Sequence, residues 1–371
     1  MLLLIAGLVM FIGLVVVHEF GHFIMARRNG VEVEEFGIGF PPTFWRKRIK
    51  SDKGDFDFTL NVLPLGGFVK LKGENDADTA KGSFGAASLL AKVKIMVAGV
   101  AMNLITAFVL LTIVALLGMP KLVDNQFTVP SDTRVMKQQL LVAYVEPNSP
   151  ASNAGIQTKD QLLSLNDQPI DNAAELPDMT EQLAGQKVNL TYIRNGQEHN
   201  ALVQLRSQEE VETSRESDSP KGYLGIGPSE YLVQRSTWSA PIVAIGLIKQ
   251  FTQLTLQGLG SAIGHIFQGE GGKATEQVAG PVGIFFVLKD GSMLGYQFVL
   301  LIIAVISLTL AIMNVLPIPA LDGGRLFVTL LFRAMRRTLS KKTEDIIHGV
   351  GFAALMILFL LITVVDVRRF F

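Results

Sequence analysis

Four long apolar stretches constrain this chain more than any other feature of its sequence. They cover residues 1–17 with a continuation to Met25, then Ile95–Leu117, Leu294–Leu316 and Val350–Val365. Each stretch is close to the ~20 residues that an α-helix needs to cross a hydrocarbon core of ~30 Å. The sequence therefore predicts a polytopic α-helical membrane protein with four transmembrane helices.

A secretory signal peptide is the alternative interpretation of the first stretch. Such a peptide has basic residues before its apolar run and a small-residue cleavage site after it. No Lys or Arg precedes this apolar run, and no Ala-x-Ala motif follows it. We therefore expect the first stretch to be a spanning helix.

The composition excludes several other classes of protein. Apolar residues make up 49% of the 371 residues, and the mean hydropathy of +0.37 is too high for a wholly soluble enzyme. The 33 basic and 33 acidic residues cancel, so no overall positive charge points to nucleic acid as a partner. The chain has no cysteine, which excludes disulfides, thiolate metal ligands and cysteine catalysis.

The distribution of Lys and Arg predicts the orientation in the membrane. Segment 26–94 holds twelve of these residues and segment 318–347 holds six, whereas segment 119–292 holds thirteen over a much greater length. Basic loops stay on the cytoplasmic side, so both short segments are expected there and the long segment outside. Arg368 and Arg369 at the carboxyl end oppose this assignment, but two charges are outweighed by eighteen.

These patterns divide the chain into four predicted parts. Residues 1–118 form a membrane part with two spans and a cytoplasmic β-hairpin between them. Residues 119–237 form an extracytoplasmic domain whose short alternating apolar runs indicate strands, with a polar loop over 207–220. Residues 238–290 contain an amphipathic helix on the membrane surface and a linker, and residues 291–371 contain the last two spans.

A fifth transmembrane helix is the alternative interpretation of residues 238–267. The segment has many apolar residues, but Lys249, Gln250 and Gln253 interrupt them near its middle. Polar residues at that depth favour a helix that lies in the interface plane over one that crosses the bilayer.

The sequence His18-Glu19-Phe20-Gly21-His22 lies at the end of the first apolar stretch. Two histidines four residues apart share one face of a helix, so both imidazoles can bind one metal ion. A glutamate beside the first histidine can reach a water on that metal, and zinc lowers the pKa of such a water towards ~7. The alternative is a pair of polar residues in a helix bundle, but ionisable residues inside a membrane segment favour a functional site.

A catalytic zinc usually has three protein ligands, so two histidines leave one position to fill. The segment from Asn314 to Gly324 ends the third apolar stretch on the same predicted side of the membrane. Pro317 and Pro319 end the regular helix there. A tight turn at the two following glycines would then present Asp322 from irregular backbone, and this residue is the best candidate for the third ligand.

The pairing of HEFGH with NVLPIPALDGG resembles the site-2 protease family of intramembrane zinc metalloproteases, most closely its regulator-of-sigma-E protease branch. Further matches are FGIGFP at 36–41, LGGFVKLKGE at 65–74 and GPVGI at 280–284. The external segment with VAYVEPNSPASNAGI is similar to a PDZ domain. One PDZ-like unit is found here, where some members of the branch carry two.

The resemblance implies roles for individual residues. It makes His18, His22 and Asp322 the ligands of one Zn²⁺ per chain and Glu19 the catalytic base, and it places Asn314 at a position that handles substrate. It also implies a bacterial cytoplasmic (inner) membrane location and single-pass membrane proteins as substrates. In the resembled branch these substrates are anti-sigma factors or remnant signal peptides.

The hairpin sequence supports a place for an extended substrate. Its glycines are followed by alternating apolar and basic residues, which indicates an edge strand around Gly67, Phe68 and Val69. A transmembrane helix hides its peptide bonds, so hydrolysis requires a segment that is pulled straight, and a free strand edge can bind such a segment. A simple surface ribbon is the alternative for this hairpin.

Two other functions compete with the protease. A non-enzymatic PDZ-bearing membrane scaffold or chaperone could keep the same residues as a structural metal site. A carrier is a third possibility, but the apolar stretches show no inverted repeat. Within the protease hypothesis, the PDZ-like domain could recruit the substrate's new terminus or could act as a size filter, and we favour the filter.

Overall fold

The computed structural model describes residues 2–215, 220–269, 272 and 280–370, and these residues form two compact units. The first, here called the membrane unit, comprises Met1–Leu117, Gln126–Asp132 and Ser236–Phe371. The second, here called the β unit, comprises Gly118–Asn125 and Thr133–Arg235. The β unit is therefore an insertion in the chain of the membrane unit.

Helices dominate the membrane unit, and strands dominate the β unit. The elements of the membrane unit are α1 (Leu2–Arg28), β1 (Val33–Ile49), β2 (Phe56–Leu71), α2 (Leu89–Leu117), α6 (Ala240–Phe267), α7 (Pro281–Leu294), α8 (Tyr296–Val315), α9 (Asp322–Ala334) and α10 (Lys341–Phe370). Those of the β unit are β3 (Met119–Pro120), β4 (Arg134–Val145), α3 (Pro150–Asn153), β5 (Gln161–Leu165), β6 (Gln168–Pro169), α4 (Glu175–Gln182), β7 (Lys187–Arg194), β8 (Gln197–Gln204), α5 (Gln208–Ser214) and β9 (Ile226–Arg235).

Within the described residues, four helices are long and apolar enough to cross a membrane, namely α1, α2, α8 and α10. The four predicted spans are thus confirmed as helices, although α10 starts earlier than the apolar stretch at Val350. Its first turn is capped by Ser340, whose hydroxyl accepts a hydrogen bond of 3.2 Å from the amide of Thr343. This cap lets the helix begin at Lys341, before the apolar stretch.

Helix α6 covers the segment predicted to be amphipathic, and it is not one of those four helices. Its first turn is fixed by Asp132, whose carboxylate accepts hydrogen bonds from the backbone and hydroxyl groups of both Thr237 and Ser239. The ring of Phe127 lies against Gly246, where any Cβ would overlap it. Asp132 and Phe127 together anchor α6 within the membrane unit.

Strands β1 and β2 are long and bent, and they pair with each other more than once. Residues 35–38 pair with residues 57–60 on one side and with residues 67–70 on the other. Residues 56–61 also pair with residues 43–49, on the side opposite to residues 35–38. The two strands therefore form a small sheet of four segments rather than a simple ribbon, and segment 67–70 lies at its edge.

The β unit is a single antiparallel sheet of seven strands among the residues described there. The strand order is β3, β9, β4, β5, β7 and β8, with β6 paired to β5. Apolar side chains from β4, β5, β7 and β8 alternate into one core that includes Leu140, Leu162, Leu190 and Val203. The strands predicted from alternation are therefore present.

One segment of the β unit differs from the prediction. Residues 207–220 are expected to form a loop, but residues Gln208–Ser214 form helix α5. The hydroxyl of Ser207 accepts a hydrogen bond from the amide of Glu210, and the Glu210 carboxylate accepts one from the amide of Ser207. This reciprocal cap satisfies two amides that a helix start would otherwise leave free, so the polar segment becomes helical.

Candidate metal centre

Three potential ligand atoms meet at the end of helix α1. Nε2 of His18 and Nε2 of His22 are 3.2 Å apart, and both lie 3.0–3.1 Å from Oδ2 of Asp322. A tetrahedral zinc ion with bonds of about 2.0–2.2 Å keeps its ligand atoms about 3.3–3.6 Å apart. The three atoms therefore form a triangle close to the size that zinc requires.

The hydrogen bond on the far side of the His22 ring supports this fit. Nδ1 of His22 lies 2.8 Å from the backbone carbonyl oxygen of Ile95. A carbonyl can only accept, so Nδ1 carries the ring proton and the lone pair of the neutral ring is on Nε2. That lone pair points at the Asp322 carboxylate, an arrangement that a shared cation would stabilise.

Asp322 reaches the histidines from the first turn of helix α9. The prediction that irregular backbone and a glycine turn present this residue is wrong in one respect, because Asp322 and both following glycines are helical. Irregular backbone covers residues 316–321 instead. A Cβ on Gly323 would overlap the carbonyl oxygen of Val315, and one on Gly324 would overlap that of Ile318. The glycines therefore allow close packing of the helix start against this loop.

Glu19 faces the edge of the small sheet. Its Oε2 accepts a hydrogen bond of 3.1 Å from the backbone amide of Val69. A Cβ on Gly67 would lie 3.6 Å from Cγ of Glu19, so the strand passes directly beside the carboxylate. Two residues beyond Val69, the amide of Leu71 donates to Oε1 of Glu74 at 2.9 Å. Two amides of strand β2, one in the edge segment and one just after it, are thus held by carboxylates.

A cavity of about 120 Å³ lies between these groups. Glu19, His22 and Asp322 line it, and so do the aromatic ring of Phe84 and the guanidinium of Arg325. Arg325 donates a hydrogen bond to the backbone carbonyl of Glu74, and its Cζ lies 5.1 Å from the centroid of the Phe84 ring. A cation over an aromatic face is a favourable contact, and here it joins helix α9 to the loop that follows β2.

Two of the predicted substrate-binding residues do not reach this cavity. The ring of Phe68 lies over Gly37 in the neighbouring strand segment, where a Cβ would overlap it. The side-chain amide of Asn314 donates to the carbonyl of Leu310 in its own helix at 3.0 Å. Gly67 and Val69 are beside Glu19, so the structure brings two of the four together with the predicted base.

Helix α2 contributes residues that the sequence analysis missed. Ile95, Gly99 and Asn103 are spaced by four and therefore lie along one face of the helix. A Cβ on Gly99 would overlap Nε2 of His22 and lie 2.6 Å from Cε1 of His18. The signal in the sequence was Asn103, the one amide side chain in the predicted span Ile95–Leu117.

Comparison with known proteins identifies the family. Residues 6–358 match the sequence pattern of peptidase family M50. The chain belongs to peptidase family M50. This is the site-2 protease family, so the resemblance inferred from the motifs is confirmed, and the chain is a membrane zinc metalloprotease.

Relatives in the M50 family are similar over their full length. A protein of Clostridium perfringens, whose name includes the words zinc metalloprotease, is 30% identical over 367 residues, covering 98% of each chain. The zinc metalloprotease RasP of Shouchella clausii is 26% identical, with 99% of each chain covered. RasP of Geobacillus kaustophilus is 24% identical, covering 99% of this chain and 98% of its own. These relationships favour the enzyme over the scaffold hypothesis.

Proposed function

We propose that this M50 protease hydrolyses peptide bonds within the transmembrane segment of single-pass membrane proteins. His18, His22 and Asp322 would hold one zinc ion, and Glu19 would act as the general base. The single observation that carries the proposal is the hydrogen bond from Val69 to Glu19, because it puts a strand edge beside the predicted base. A protease that cuts membrane helices needs both of these features at one place.

The chain's own residues divide the chemistry between them. Bound zinc would supply a Lewis acid that polarises the scissile carbonyl and makes water more acidic. Glu19 would take the proton of the attacking water and return it to the leaving amine, as a positioned carboxylate does in general acid–base catalysis. His22 would be held in its ligating tautomer by the carbonyl of Ile95.

The edge segment 67–70 would bind the unfolded part of the substrate. Strand addition supplies backbone hydrogen bonds to a segment that has left its helix, and this compensates for the helical bonds that are lost. The amides of Val69 and Leu71 donate to the carboxylates of Glu19 and Glu74. The carbonyl groups of an incoming strand would replace these carboxylates as hydrogen-bond acceptors. Asn314 and Phe68 remain candidates for contacts with parts of the substrate outside the cavity.

The placement in the membrane follows from charge. We propose that the metal centre lies towards the cytoplasm of a bacterial inner membrane and that the β unit is PDZ-like and lies outside. Single cysteines in this cysteine-free chain would report sidedness through an impermeant thiol reagent. Cysteines at Lys47 and Lys341 should be protected in intact cells, and one at Asn195 should be labelled. The opposite pattern would reverse the proposed orientation.

The substrate class follows from the resemblance to the regulator-of-sigma-E branch. We propose anti-sigma factor-like proteins or signal-peptide remnants, after a first protease has removed the external part of the substrate. The PDZ-like unit would exclude substrates that still carry a large external domain.

The test of the proposed activity is substitution of the base. Glu19→Gln should keep zinc bound but lower cleavage of a single-pass model substrate in lipid vesicles by about 10²–10⁴-fold, because a neutral amide takes no proton. Asp52→Asn is the control for loss of a carboxylate, since Asp52 is exposed in the turn between β1 and β2, outside the edge segment. Near-normal cleavage by the Glu19 variant would disprove the role of HEFGH in catalysis.

A further inference from the structure

A buried amide lies directly behind one of the two proposed histidine ligands. Asn103 in helix α2 is 1% exposed, and its side-chain nitrogen lies 3.2 Å from Nδ1 of His18. Its side-chain oxygen is buried and has no hydrogen-bond partner among the described residues. A buried amide oxygen without a partner is costly, so this side chain requires an explanation.

The two histidines differ in how their far nitrogens are held. His22 meets a backbone carbonyl at Nδ1, which can only accept and therefore allows one neutral tautomer. His18 meets a side-chain amide, which offers a donor at one end and an acceptor at the other. The tautomer of His18 is thus open to change, whereas that of His22 is not.

The orientation of the Asn103 amide corresponds to one tautomer of His18. The amide N–H₂ donates to the lone pair of Nδ1, and this places the ring proton on Nε2, which lies 3.0 Å from Oδ2 of Asp322. Zinc needs the lone pair of Nε2, and the proton must then be on Nδ1. In that tautomer, Nδ1 requires an acceptor at the position of the amide nitrogen.

We propose that Asn103 is a positioning residue for zinc: with its amide turned by 180°, the side-chain oxygen accepts a hydrogen bond from Nδ1 of His18 and holds the tautomer that ligates through Nε2. A rotation of the amide by 180° exchanges its oxygen and nitrogen without moving the chain, and it gives the orphan oxygen a donor. This inference rests on the proposed role of His18 as a ligand.

The surroundings of Asn103 allow this rotation without loss of helix packing. Its backbone carbonyl accepts a hydrogen bond of 2.8 Å from the hydroxyl of Ser307 in helix α8. That bond is made by the main chain, so it is independent of the side-chain amide. Gly99, one turn before Asn103, leaves the space into which both imidazole rings fit.

The test measures the zinc affinity of two variants of Asn103. Outer partners of metal-bound histidines commonly contribute a factor of 10–100 to metal affinity. Asn103→Leu has a similar volume but no acceptor, so it should weaken zinc binding of the full-length protein in detergent by about 10–100-fold. Asn103→Asp keeps an acceptor and should bind zinc at least as tightly as the unchanged protein. Competition with a chromophoric chelator measures both values, and the absorption bands of bound Co²⁺ report the ligand geometry.

The rank order of the two variants separates positioning from packing. A purely structural role predicts that the apolar Leu variant is tolerated better than a buried carboxylate. Zinc affinity of Asn103→Leu within about twofold of the unchanged protein, or of Asn103→Asp no better than Asn103→Leu, would overturn the inference. His18→Ala distinguishes failure of this inference from failure of the proposed function. If His18→Ala keeps full zinc affinity, the proposed ligand set is wrong as well. Ser307→Ala is the control for the helix contact and should leave zinc affinity unchanged.

Discussion

The backbone amide of Val69 donates a hydrogen bond of 3.1 Å to Oε2 of Glu19. This bond joins a strand edge to the helix that carries the HEFGH motif. The carboxylate therefore has two tasks: it holds the strand in place and, in the proposed mechanism, it takes a proton. A substrate strand that reaches this edge would release the carboxylate from Val69, so binding and the freeing of the base would be linked.

Replacement of Val69 by proline tests whether this amide matters. Proline removes one N–H and is tolerated at strand edges whose N–H points away from the sheet. We expect Val69→Pro to lower the cleavage rate by at least about tenfold while zinc content stays the same. Val69→Ala keeps the amide and should retain most activity. Equal activity of the two variants would show that strand addition at Val69 is not used.

Gly99→Ala tests the close approach of helix α2 to the histidines. The added Cβ would overlap Nε2 of His22, so the rings must move and the ligand triangle must open. We expect zinc content after dialysis to fall severalfold and cleavage to fall with it. Gly13→Ala is the control in a spanning helix, because a Cβ at Gly13 meets no atom within 4 Å. Equal zinc content in both variants would contradict the packing argument.

Asp322→Asn tests the third ligand. An amide oxygen is neutral and binds zinc more weakly than a carboxylate, so both zinc retention and cleavage should drop. Metal analysis of the purified variant measures the first effect, and a vesicle cleavage assay measures the second. If zinc content and activity both persist, Asp322 only supports the loop and another group completes the metal site.

The pH dependence of the start of helix α6 depends on Asp132. Burial acts to raise the pKa of this carboxyl, but the hydrogen bonds from Ser239 and Thr237 outweigh it and hold the pKa below its usual range. A carboxyl with a lowered pKa stabilises the fold fully above its unfolded value, near ~4, and loses this effect only as the pH falls through the lower folded value. Hydrogen exchange of residues 236–242, corrected for intrinsic rates, should therefore show constant protection between pH 8 and 5.

Two variants make the α6 prediction specific. Asp132→Ala should reduce protection of residues 236–242 throughout that pH range. Asp124→Ala should leave it unchanged, because the side chain of Asp124 is fully exposed. A loss of protection in the unchanged protein between pH 7 and 5 would show that another group controls this helix start.

The proposed filter predicts the effect of removing the β unit. Arg134 and Arg235 are neighbours in the sheet, so a short linker can replace residues 134–235. A size filter predicts that this variant cuts a truncated substrate at the normal rate and also cuts the intact substrate in cells without the first protease. Recruitment predicts slow cutting of the truncated substrate and continued resistance of the intact one.

The sequence was sufficient for the features that depend on local spacing. The four spans follow from apolar length, and the histidine pair follows from the helical repeat. The conformation at Asp322 was predicted wrongly because proline and glycine usually mark a turn, whereas here the glycines permit contact between backbone segments. Helix α5 was missed although Ser207 and Glu210 have the spacing of a reciprocal cap.

The contribution of helix α2 could not be predicted from local patterns. Asn103 contacts a residue 85 positions away in the sequence, and Ile95 contacts one 73 positions away. Such pairs depend on how helices pack, which a single sequence does not specify. The double pairing of residues 35–38 was missed for a similar reason, because the alternating pattern of a strand does not reveal where the strand bends.

The ligand triangle joins residues that are 300 positions apart in the chain, at His22 and Asp322. During translation at ~5–20 residues per second, about 15–60 s separate the synthesis of these two residues. A ribosome-bound chain has made the HEFGH helix and the whole inserted β unit before the third ligand exists. With Asp322 as the proposed third ligand, zinc-dependent hydrolysis would begin only after α8 and the start of α9 have been synthesised, and a nascent copy would not cut neighbouring membrane proteins during its own biogenesis.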